Sequence, residues 1–289
     1  MENILTLVNS TEFNIPLQAK FSSLHGMNLM SFMQGTTEIL DQTTRNLFTQ
    51  RCAGLGALIG PHFHHRSQDA IPPYSFDPSL FPHLQNLPLE PFSHGIARYV
   101  PWKAEYSNTQ IKATLSGNDL YKNIAVKNLE GQNFEMVFDV KLVHDGLLLN
   151  LTITSEKPSV IGFHYYYSCP PNSFIQSLVH PIYRDQTGWK PLPSDWLRSK
   201  HLHFDLSQEA DFGFKPQACT EHPYYTIILH TPSYQVHLEY TSSNSESTSW
   251  QLYRPKNSSF VCIEPLSALN PRDPLLNHSN LQLKIRVVK

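Results

Sequence analysis

Apolar and polar side chains alternate with a period of two over much of the chain. In residues 134–142 every second residue is apolar, and the pattern returns in residues 147–153 after the sequence His144-Asp145-Gly146. A period of two is typical of a β-strand with one buried face, and Asp-Gly tolerates the positive φ that a tight turn needs. These residues therefore predict a β-hairpin.

The same alternation recurs in residues 234–240 and in residues 281–287, and the N-terminal region consists of short predicted strands broken at Gly26 and Gly35. Helical periodicity is almost absent. Many short strands joined by turns are typical of an antiparallel sandwich. The sequence therefore predicts an all-β fold, a large antiparallel β-sandwich.

Three further segments bear on the organisation of the chain. Residues 242–249 are rich in Ser and Asn, but predicted strands flank them closely, which favours a loop over a linker. We therefore expect a single domain over residues 1–289. Residues 60–101 and residues 168–193 carry no clear strand pattern, and we expect these two long loops to line a site, because loops of such length are often functional.

The composition is typical of a globular protein. Of the 289 residues, 40% are hydrophobic and 16% are charged, which is enough apolar material for a sizeable core. The net charge of −2 indicates no basic surface for nucleic acid, and no apolar run approaches the ~18 residues of a membrane span. Since no signal peptide is visible either, the sequence predicts a cytoplasmic protein without a nucleic-acid or membrane partner.

Titratable side chains interrupt the predicted strands at several places. In "FVCIEPLSALNP", Glu264 lies in an apolar run, and a carboxylate buried there needs either a structural ion partner or a catalytic role. His164 lies between Phe163 and three tyrosines, where it is either a core histidine or a functional one. His94 precedes Gly95, and nearby Trp102 is either a core residue or an apolar face for a sugar.

A histidine cluster follows the predicted strand that ends near Gly60. His62, His64 and His65, with Asp69 downstream, suggest either a polar loop or a metal site of the kind found in cupins. Arg66 follows directly, and its planar guanidinium suits paired hydroxyls or a phosphate.

Three of these segments, in this order, resemble the aldose 1-epimerase (galactose mutarotase) family. They are "SHGIARYVPW", "GLLLNLTITSEKPSVIGFHYYY" and "FVCIEPLSALNP". The similarity extends over nearly the whole chain. The resemblance implies a β-sandwich of the galactose mutarotase type with an open cleft on one face, and interconversion of the α and β anomers of a free hexose without a metal or a cofactor.

The resemblance also implies roles for individual residues. Glu264 matches the catalytic base, and His164 matches the acid, which would act as an imidazolium and so need a carboxylate nearby. His94 matches a histidine that binds the sugar, and Arg66 is the best match for a substrate-binding arginine. The family's substrate-binding aspartate is expected at Asp211, with Asp205 as the alternative; all five matches are read from the sequence alone.

The chain departs from the family pattern at two points, and other functions stay open. Tyr165 replaces a proline after His164, and His65-Arg66 replaces Asn-Arg. One alternative is a hexose 6-phosphate 1-epimerase, for which Arg66, Arg98 and Lys103 would supply cations. Another is a non-catalytic carbohydrate-binding sandwich, and a third is a metal-dependent enzyme that uses the histidine cluster. The expected partner is a small sugar, and the expected assembly is a monomer or weak homodimer.

Overall fold

Two large antiparallel sheets make up most of the described chain. The structure is a computed structural model, and it describes residues 3–73, 92–219 and 223–289. In chain order its strands are β1 Ile4–Ser10, β2 Pro16–Ser22, β3 Asn28–Gln34, β4 Thr37–Glu38, β5 Gly56–Ile59, β6 Lys103–Tyr106, β7 Gln110–Ser116, β8 Leu120–Tyr121, β9 Ile124–Ala125, β10 Phe134–Val143, β11 Gly146–Ser155, β12 Gly162–Ser168, β13 Phe174–Ser177, β14 Val179–Asp185, β15 Gly188–Pro191, β16 Leu197–Arg198, β17 His201–Asp205, β18 Ala210–Pro216, β19 Tyr225–His230, β20 Gln235–Ser242, β21 Ser249–Arg254, β22 Phe260–Leu266 and β23 His278–Val288.

Helical segments are few and short among the described residues. The α-helices are α1 Arg45–Arg51 and α2 Val126–Glu130, and the 3-10 turns are Gln42–Thr44, Gln68–Ala70, Ile96–Arg98, Ser194–Trp196 and Ser245–Ser247. None of the helices in the described part of the chain is both long enough and apolar enough to cross a membrane.

Most strands of the described residues belong to two large sheets, A and B, and β8 and β9 form a separate two-stranded sheet. Sheet A has 11 strands among the described residues, in the order β1-β2-β3-β5-β12-β22-β21-β18-β14-β15, with β4 paired to β3. Within residues 3–73, 92–219 and 223–289, sheet B has 10 strands, in the order β16-β17-β13-β19-β20-β23-β11-β10-β7-β6. All pairings are antiparallel, so the predicted all-β antiparallel architecture is confirmed.

The predicted hairpin shows how the alternation in the sequence forms sheet B. Strands β10 and β11 pair from Phe134 opposite Ser155 to Val143 opposite Gly146. Every second residue of β10 is buried, as the period of two requires. Gly146 has a φ of +150°, and a Cβ there would lie 2.2 Å from the carbonyl oxygen of Ile285.

Aromatic residues from both sheets meet in the core between them. Phe138 of sheet B lies with its ring centroid 6.1 Å from that of Phe21 and 6.3 Å from that of Phe163, both in sheet A. All three side chains are fully buried. The buried faces of the two sheets therefore pack on each other as a sandwich.

The prediction for residues 168–193 is wrong in part. These residues contain β13, β14 and β15 rather than one long loop, although the turn between β14 and β15 does line the candidate site described below. Prolines such as Pro171 and Pro181 interrupt the alternation of apolar and polar residues in this segment, so the sequence alone did not predict its strands. The strands form because β13 pairs with β17 and β19, and β14 pairs with β18. In the other predicted loop, residues 74–91 lie outside the described residues, and the described remainder is irregular apart from two 3-10 turns.

Candidate active site

The candidate site is a row of residues that crosses neighbouring strands of sheet A. The register of β12 and β22 pairs Gly162 with Leu266 and Tyr165 with Ile263, so His164 stands opposite Glu264. On the far side of β22, Gln251 of β21 pairs with Glu264. Cross-strand neighbours on one face lie close enough for their side chains to touch, so the pairing alone assembles a polar group from distant parts of the sequence.

The two remaining members of the row lie on β18 and β14. Gly213 pairs with Gln251, and Arg184 pairs with Gly213. A Cβ on Gly213 would lie 2.9 Å from the NH2 atom of Arg184. The absence of a side chain at Gly213 therefore gives the guanidinium of Arg184 room to lie over the sheet.

The apolar run around Glu264 is explained by burial of β22 on both faces. Val261 and Ile263 point into the core between the sheets, whereas Cys262 and Glu264 point to the opposite face. All four side chains are nonetheless buried, and of the two on the opposite face Glu264 lines a cavity.

This cavity has a volume of about 910 Å³, which is ample for a monosaccharide. Its lining residues come from the row and from the loops above it: Arg51, Ala53, Phe63, His64, His65, Ser93, His94, Arg98, Tyr99, His164, Tyr166, Arg184, Asp185, Gln186, Thr187, Gly188, Asp211, Gln251, Tyr253, Glu264, Asn270 and Arg272. A second cavity of about 960 Å³ lies on sheet B and contains none of the predicted site residues.

Glu264 and His164 are in direct contact at the floor of the cavity. Glu264 Oε1 lies 3.4 Å from His164 Nε2, and the two residues are 2% and 6% exposed. No described residue hydrogen-bonds to Glu264 Oε2 or to His164 Nδ1. Buried polar atoms normally have hydrogen-bond partners. A ligand in the cavity could supply the partners that these two atoms lack.

Burial favours the uncharged forms of Glu264 and His164 over the carboxylate and imidazolium that the resemblance implies. Burial, opposed by the charge of Arg98 and reinforced by that of Asp211, raises the pKa of Glu264 to about 8. Burial and the charge of Arg98 hold the pKa of His164 well below its usual range. Near neutral pH the free protein therefore has its proton on Glu264, which differs from the expectation that His164 is an imidazolium.

Arg98 supplies the positive charge next to this pair. It is 3% exposed, and its Nε donates to the carbonyl oxygen of Leu58 at 3.1 Å. Its NH2 atom has no hydrogen-bond partner among the described residues. A buried guanidinium with a free donor on a cavity wall is suited to bind a hydroxyl or an anionic group of a ligand.

His94 is placed over the floor by two loops that hold each other through their backbones. His94 N donates to His64 O at 2.9 Å, and Gly60 N donates to His94 O at 2.9 Å. The His94 ring stands nearly perpendicular to that of His164, with centroids 5.1 Å apart. Burial, followed by the charges of Arg98 and His164, lowers the pKa of His94 well below its usual range.

Asp211 lies at the cavity, whereas Asp205 does not. Gln251 Nε2 donates to Asp211 Oδ1 at 2.8 Å, and Arg184 NH2 donates to Gln251 Oε1 at 3.3 Å. Asp205 ends β17 in sheet B, where its carboxylate accepts a hydrogen bond from the backbone of Ser207. Of the two candidates, only Asp211 is positioned to meet a ligand in this cavity.

The structure does not bring Arg66 to the cavity. Its NH1 donates to the carbonyl oxygen of Glu130 and lies 4.0 Å from Glu130 Oε1. Glu130 Oε1 also lies 2.7 Å from His62 Nδ1, and Glu130 Oε2 accepts a hydrogen bond from Ile96 N at 3.1 Å. Arg66 is therefore held by Glu130, outside the cavity. It stabilises the loop behind His94 and does not face a ligand.

The histidine cluster does not form the metal site considered from the sequence. His62 is paired with Glu130, His64 faces the cavity and Asp69 is exposed. Among the described residues, one group of His, Cys, Asp or Glu brings three ligand atoms within 4.8 Å of one another, and it is His164, Cys262 and Glu264.

Aromatic side chains other than Trp102 face the cavity. Trp102 is a core residue, 4% exposed, whose Nε1 donates to Ala97 O at 2.9 Å. Tyr166 stacks on His164 with ring centroids 4.9 Å apart, and Tyr253, on the other side of β22, also lines the cavity and is 37% exposed. These two rings provide the apolar surface that the face of a sugar can stack on.

Several residues at the site could not be singled out from the sequence. Gln251 and Arg184 lie in ordinary strand sequence, and only the pairing of β14, β18 and β21 brings them to the cavity. Arg98 was considered only as a cation for a phosphate. The available signal for Arg98 was its position four residues after His94 in the sequence.

Comparisons with known proteins identify the fold. No family model matches the sequence, and no curated protein matches it in sequence. A galactose mutarotase-like protein from Lactobacillus casei ATCC 334 is structurally similar, with a TM-score of 0.70 at 14% identity over 99% of this chain and 100% of the other. An aldose epimerase homologue from C. elegans gives a TM-score of 0.70 at 11% identity over 100% of both chains. A galactose 1-epimerase from Lactobacillus acidophilus NCFM gives 0.62 at 11% identity, again over 100% of both chains.

These similarities show the galactose mutarotase-like sandwich fold. The fold predicted from the three sequence segments is therefore confirmed. At such low identities the similarity does not extend to activity, which has to be argued from the residues of the cavity.

The close approach of Gly95 to Gly60 yields a testable prediction. A Cβ on Gly95, whose φ is +86°, would lie 2.0 Å from Gly60 O, whereas a Cβ on Gly188, whose φ is +120°, would meet no atom within 4 Å. We expect Gly95→Ala to lower the free energy of unfolding by more than ~3 kcal/mol, because strain and overlap add, and Gly188→Ala by only ~1 kcal/mol. Urea unfolding measures both values, and equal losses would contradict the proposed packing of the two loops.

Proposed function

We propose that the protein is an aldose 1-epimerase that interconverts the α and β anomers of a free hexose, with Glu264 and His164 as the proton-transfer groups. The observation that supports this most is the contact of Glu264 Oε1 and His164 Nε2, 3.4 Å apart at the floor of a sugar-sized cavity. An ion pair with a purely structural role in a core would not line a cavity of this size.

The proposed reaction opens and closes the sugar ring. In opening, the anomeric hydroxyl loses its proton to one group, the ring oxygen gains a proton from the other, and the bond between C1 and the ring oxygen breaks. The free aldehyde then rotates about the C1–C2 bond. In closure the same transfers run in reverse and give the other anomer, so no proton or electron is gained or lost overall.

Glu264 and His164 are suited to these transfers because they are neighbours with opposite tasks. Glu264 as a carboxylate takes the proton of the anomeric hydroxyl, while His164 as an imidazolium gives one to the ring oxygen. Transfer of the proton held by Glu264 in the free protein to His164, across the 3.4 Å contact, generates this pair of states. Because closure reverses the roles, the pair carries one proton before and after each turnover.

The other polar residues of the cavity hold the sugar in this proposal. His94 stands over the floor beside His164, and Asp211 faces the cavity with Gln251 as its donor. Arg98 offers an unpartnered NH2 group next to Glu264. Together these groups can orient the ring so that its two reacting oxygens meet the proton-transfer pair.

The similar folds support the proposal without deciding it. Several proteins of this fold carry names that describe them as galactose mutarotase-like, as aldose epimerase homologues or as galactose 1-epimerase. A non-catalytic carbohydrate-binding sandwich would need the cavity but not two contacting titratable groups on its floor.

The decisive variant replaces the carboxyl of Glu264 by an amide of the same shape. We expect Glu264→Gln to slow anomer interconversion at least ~100-fold, because an amide neither accepts nor releases the proton. Two-dimensional NMR exchange on glucose and galactose measures the rate. The matched control is Glu246→Gln, since Glu246 is exposed and pairs with Lys215 away from the cavity.

Two outcomes would reject parts of the proposal. Full activity in folded Glu264→Gln would remove Glu264 from the chemistry. If the wild-type protein binds sugars but does not accelerate their interconversion, the protein is a binding module.

A second candidate function, hexose 6-phosphate 1-epimerase, is favoured by the arginines of the cavity. Arg51, Arg98, Arg184 and Arg272 all line it. Burial and the neighbouring charge of Arg272 lower the pKa of Arg184, so an anion bound between these two guanidinium groups would relieve their repulsion.

The two candidate substrates can be separated with one variant. For the phosphate substrate we expect glucose 6-phosphate to be interconverted faster than glucose, and Arg184→Gln to lower kcat/KM for the phosphate at least ~10-fold more than for glucose. Arg45→Gln, on helix α1 outside the cavity, is the control. Equal rates for both sugars and an equal effect of Arg184→Gln would leave the free hexose as the substrate.

A further inference from the structure

We infer that His164, Cys262 and Glu264 form a binding site for Zn²⁺, and that zinc bound there blocks the cavity floor. One ligand atom from each residue lies within 4.8 Å of the other two, and all three residues are buried. The site is distinct in its chemistry from the histidine cluster considered in the sequence, because it includes a thiol.

The spacing of the three residues agrees with tetrahedral zinc. Bonds of ~2.0–2.1 Å to nitrogen and ~2.0–2.2 Å to oxygen place these two ligands about 3.4 Å apart, and a bond of ~2.3 Å to sulfur places it about 3.6 Å from each. Glu264 Oε1 and His164 Nε2 are already 3.4 Å apart. The sulfur of Cys262 has to approach by no more than about 1.2 Å.

The fold presents the three ligands on one face of sheet A. Cys262 and Glu264 are two residues apart on β22 and point the same way, and His164 stands opposite Glu264 on β12. Of the three ligands, His164 and Glu264 line the cavity, so the fourth tetrahedral position of a bound zinc can be taken by water from that side, as in catalytic zinc sites.

The ligands are also available. Cys262 is a free thiol, and Glu264 Oε2 has no hydrogen-bond partner among the described residues. His164 Nε2 is in contact with Glu264 itself, so coordination replaces that contact rather than one to the rest of the protein.

The charge of the three ligands and the softness of the thiolate favour Zn²⁺ over hard cations. Binding releases two protons to solvent, one from the thiol of Cys262 and the one that Glu264 holds in the free protein. The resulting thiolate and carboxylate together neutralise Zn²⁺, so the buried Arg98 would stand beside a neutral cluster rather than a dication. A thiolate and an imidazole favour zinc over hard cations such as Mg²⁺, which prefer oxygen ligands. Zinc bound here occupies both proton-transfer groups, so it would inhibit the reaction. This inhibition depends on the proposed function, whereas the binding itself does not.

The binding is tested with metal alone, without a sugar. Titration with Co²⁺ is expected to give one metal per chain and a near-ultraviolet thiolate-to-cobalt charge-transfer band, and competition with a chromophoric chelator gives the zinc affinity. We expect Cys262→Ser to abolish the band and to weaken zinc binding at least ~100-fold, since even residues behind the ligands contribute 10–100-fold. Cys219→Ser is the matched control, because Cys219 is the exposed free cysteine.

The inhibition is tested separately, with each variant compared with its own rate without metal. One equivalent of Zn²⁺ should stop anomer interconversion by the wild-type protein, and Mg²⁺ should leave it unchanged. Cys262→Ser should keep its own metal-free interconversion rate at that zinc concentration. Absence of the band in the wild-type protein, or its persistence in Cys262→Ser, would overturn the site. If the protein binds zinc through Cys262 but has no mutarotase activity, the site stands and only the proposed function fails.

Discussion

The structure depends on the register of two neighbouring strands, which places a buried carboxyl against a buried imidazole. Removing a titratable group from water is costly, and at this position burial holds the proton on Glu264 and keeps His164 neutral. The opposite face of the same strand contributes Val261 and Ile263 to the core. The sandwich therefore supplies the stability that allows two poorly solvated polar groups to be held at a fixed separation.

The loops above the floor are held by a separate set of contacts. The backbone of His94 accepts a hydrogen bond from Gly60 N and donates one to His64 O, and Gly95 approaches Gly60 so closely that a side chain does not fit. Behind them, the carboxylate of Glu130 contacts His62 and accepts a hydrogen bond from Ile96. These contacts belong to the backbone and to residues outside the cavity, so they fix His94 without occupying the space in front of it.

The sequence was informative wherever a local pattern determines structure, and less so where pairing between distant strands does. The alternation in β10 and β11 predicted the hairpin correctly, whereas the apolar run around Glu264 by itself left a structural ion pair and a functional carboxyl open. The resemblance predicts Arg66 as the substrate-binding arginine upstream of His94, but Glu130, 64 residues further along the chain, binds it. Gln251 and Arg184 were not found because nothing in their own segments distinguishes them from other strand residues.

The most direct test of the central claim is a crystal structure of the protein with a bound hexose or hexose 6-phosphate. The account predicts that the sugar lies in the cavity on sheet A, with its anomeric hydroxyl and its ring oxygen each within hydrogen-bond distance of Glu264 or His164. A sugar bound instead in the cavity of about 960 Å³ on sheet B, or one whose reacting oxygens contact neither residue, would contradict it.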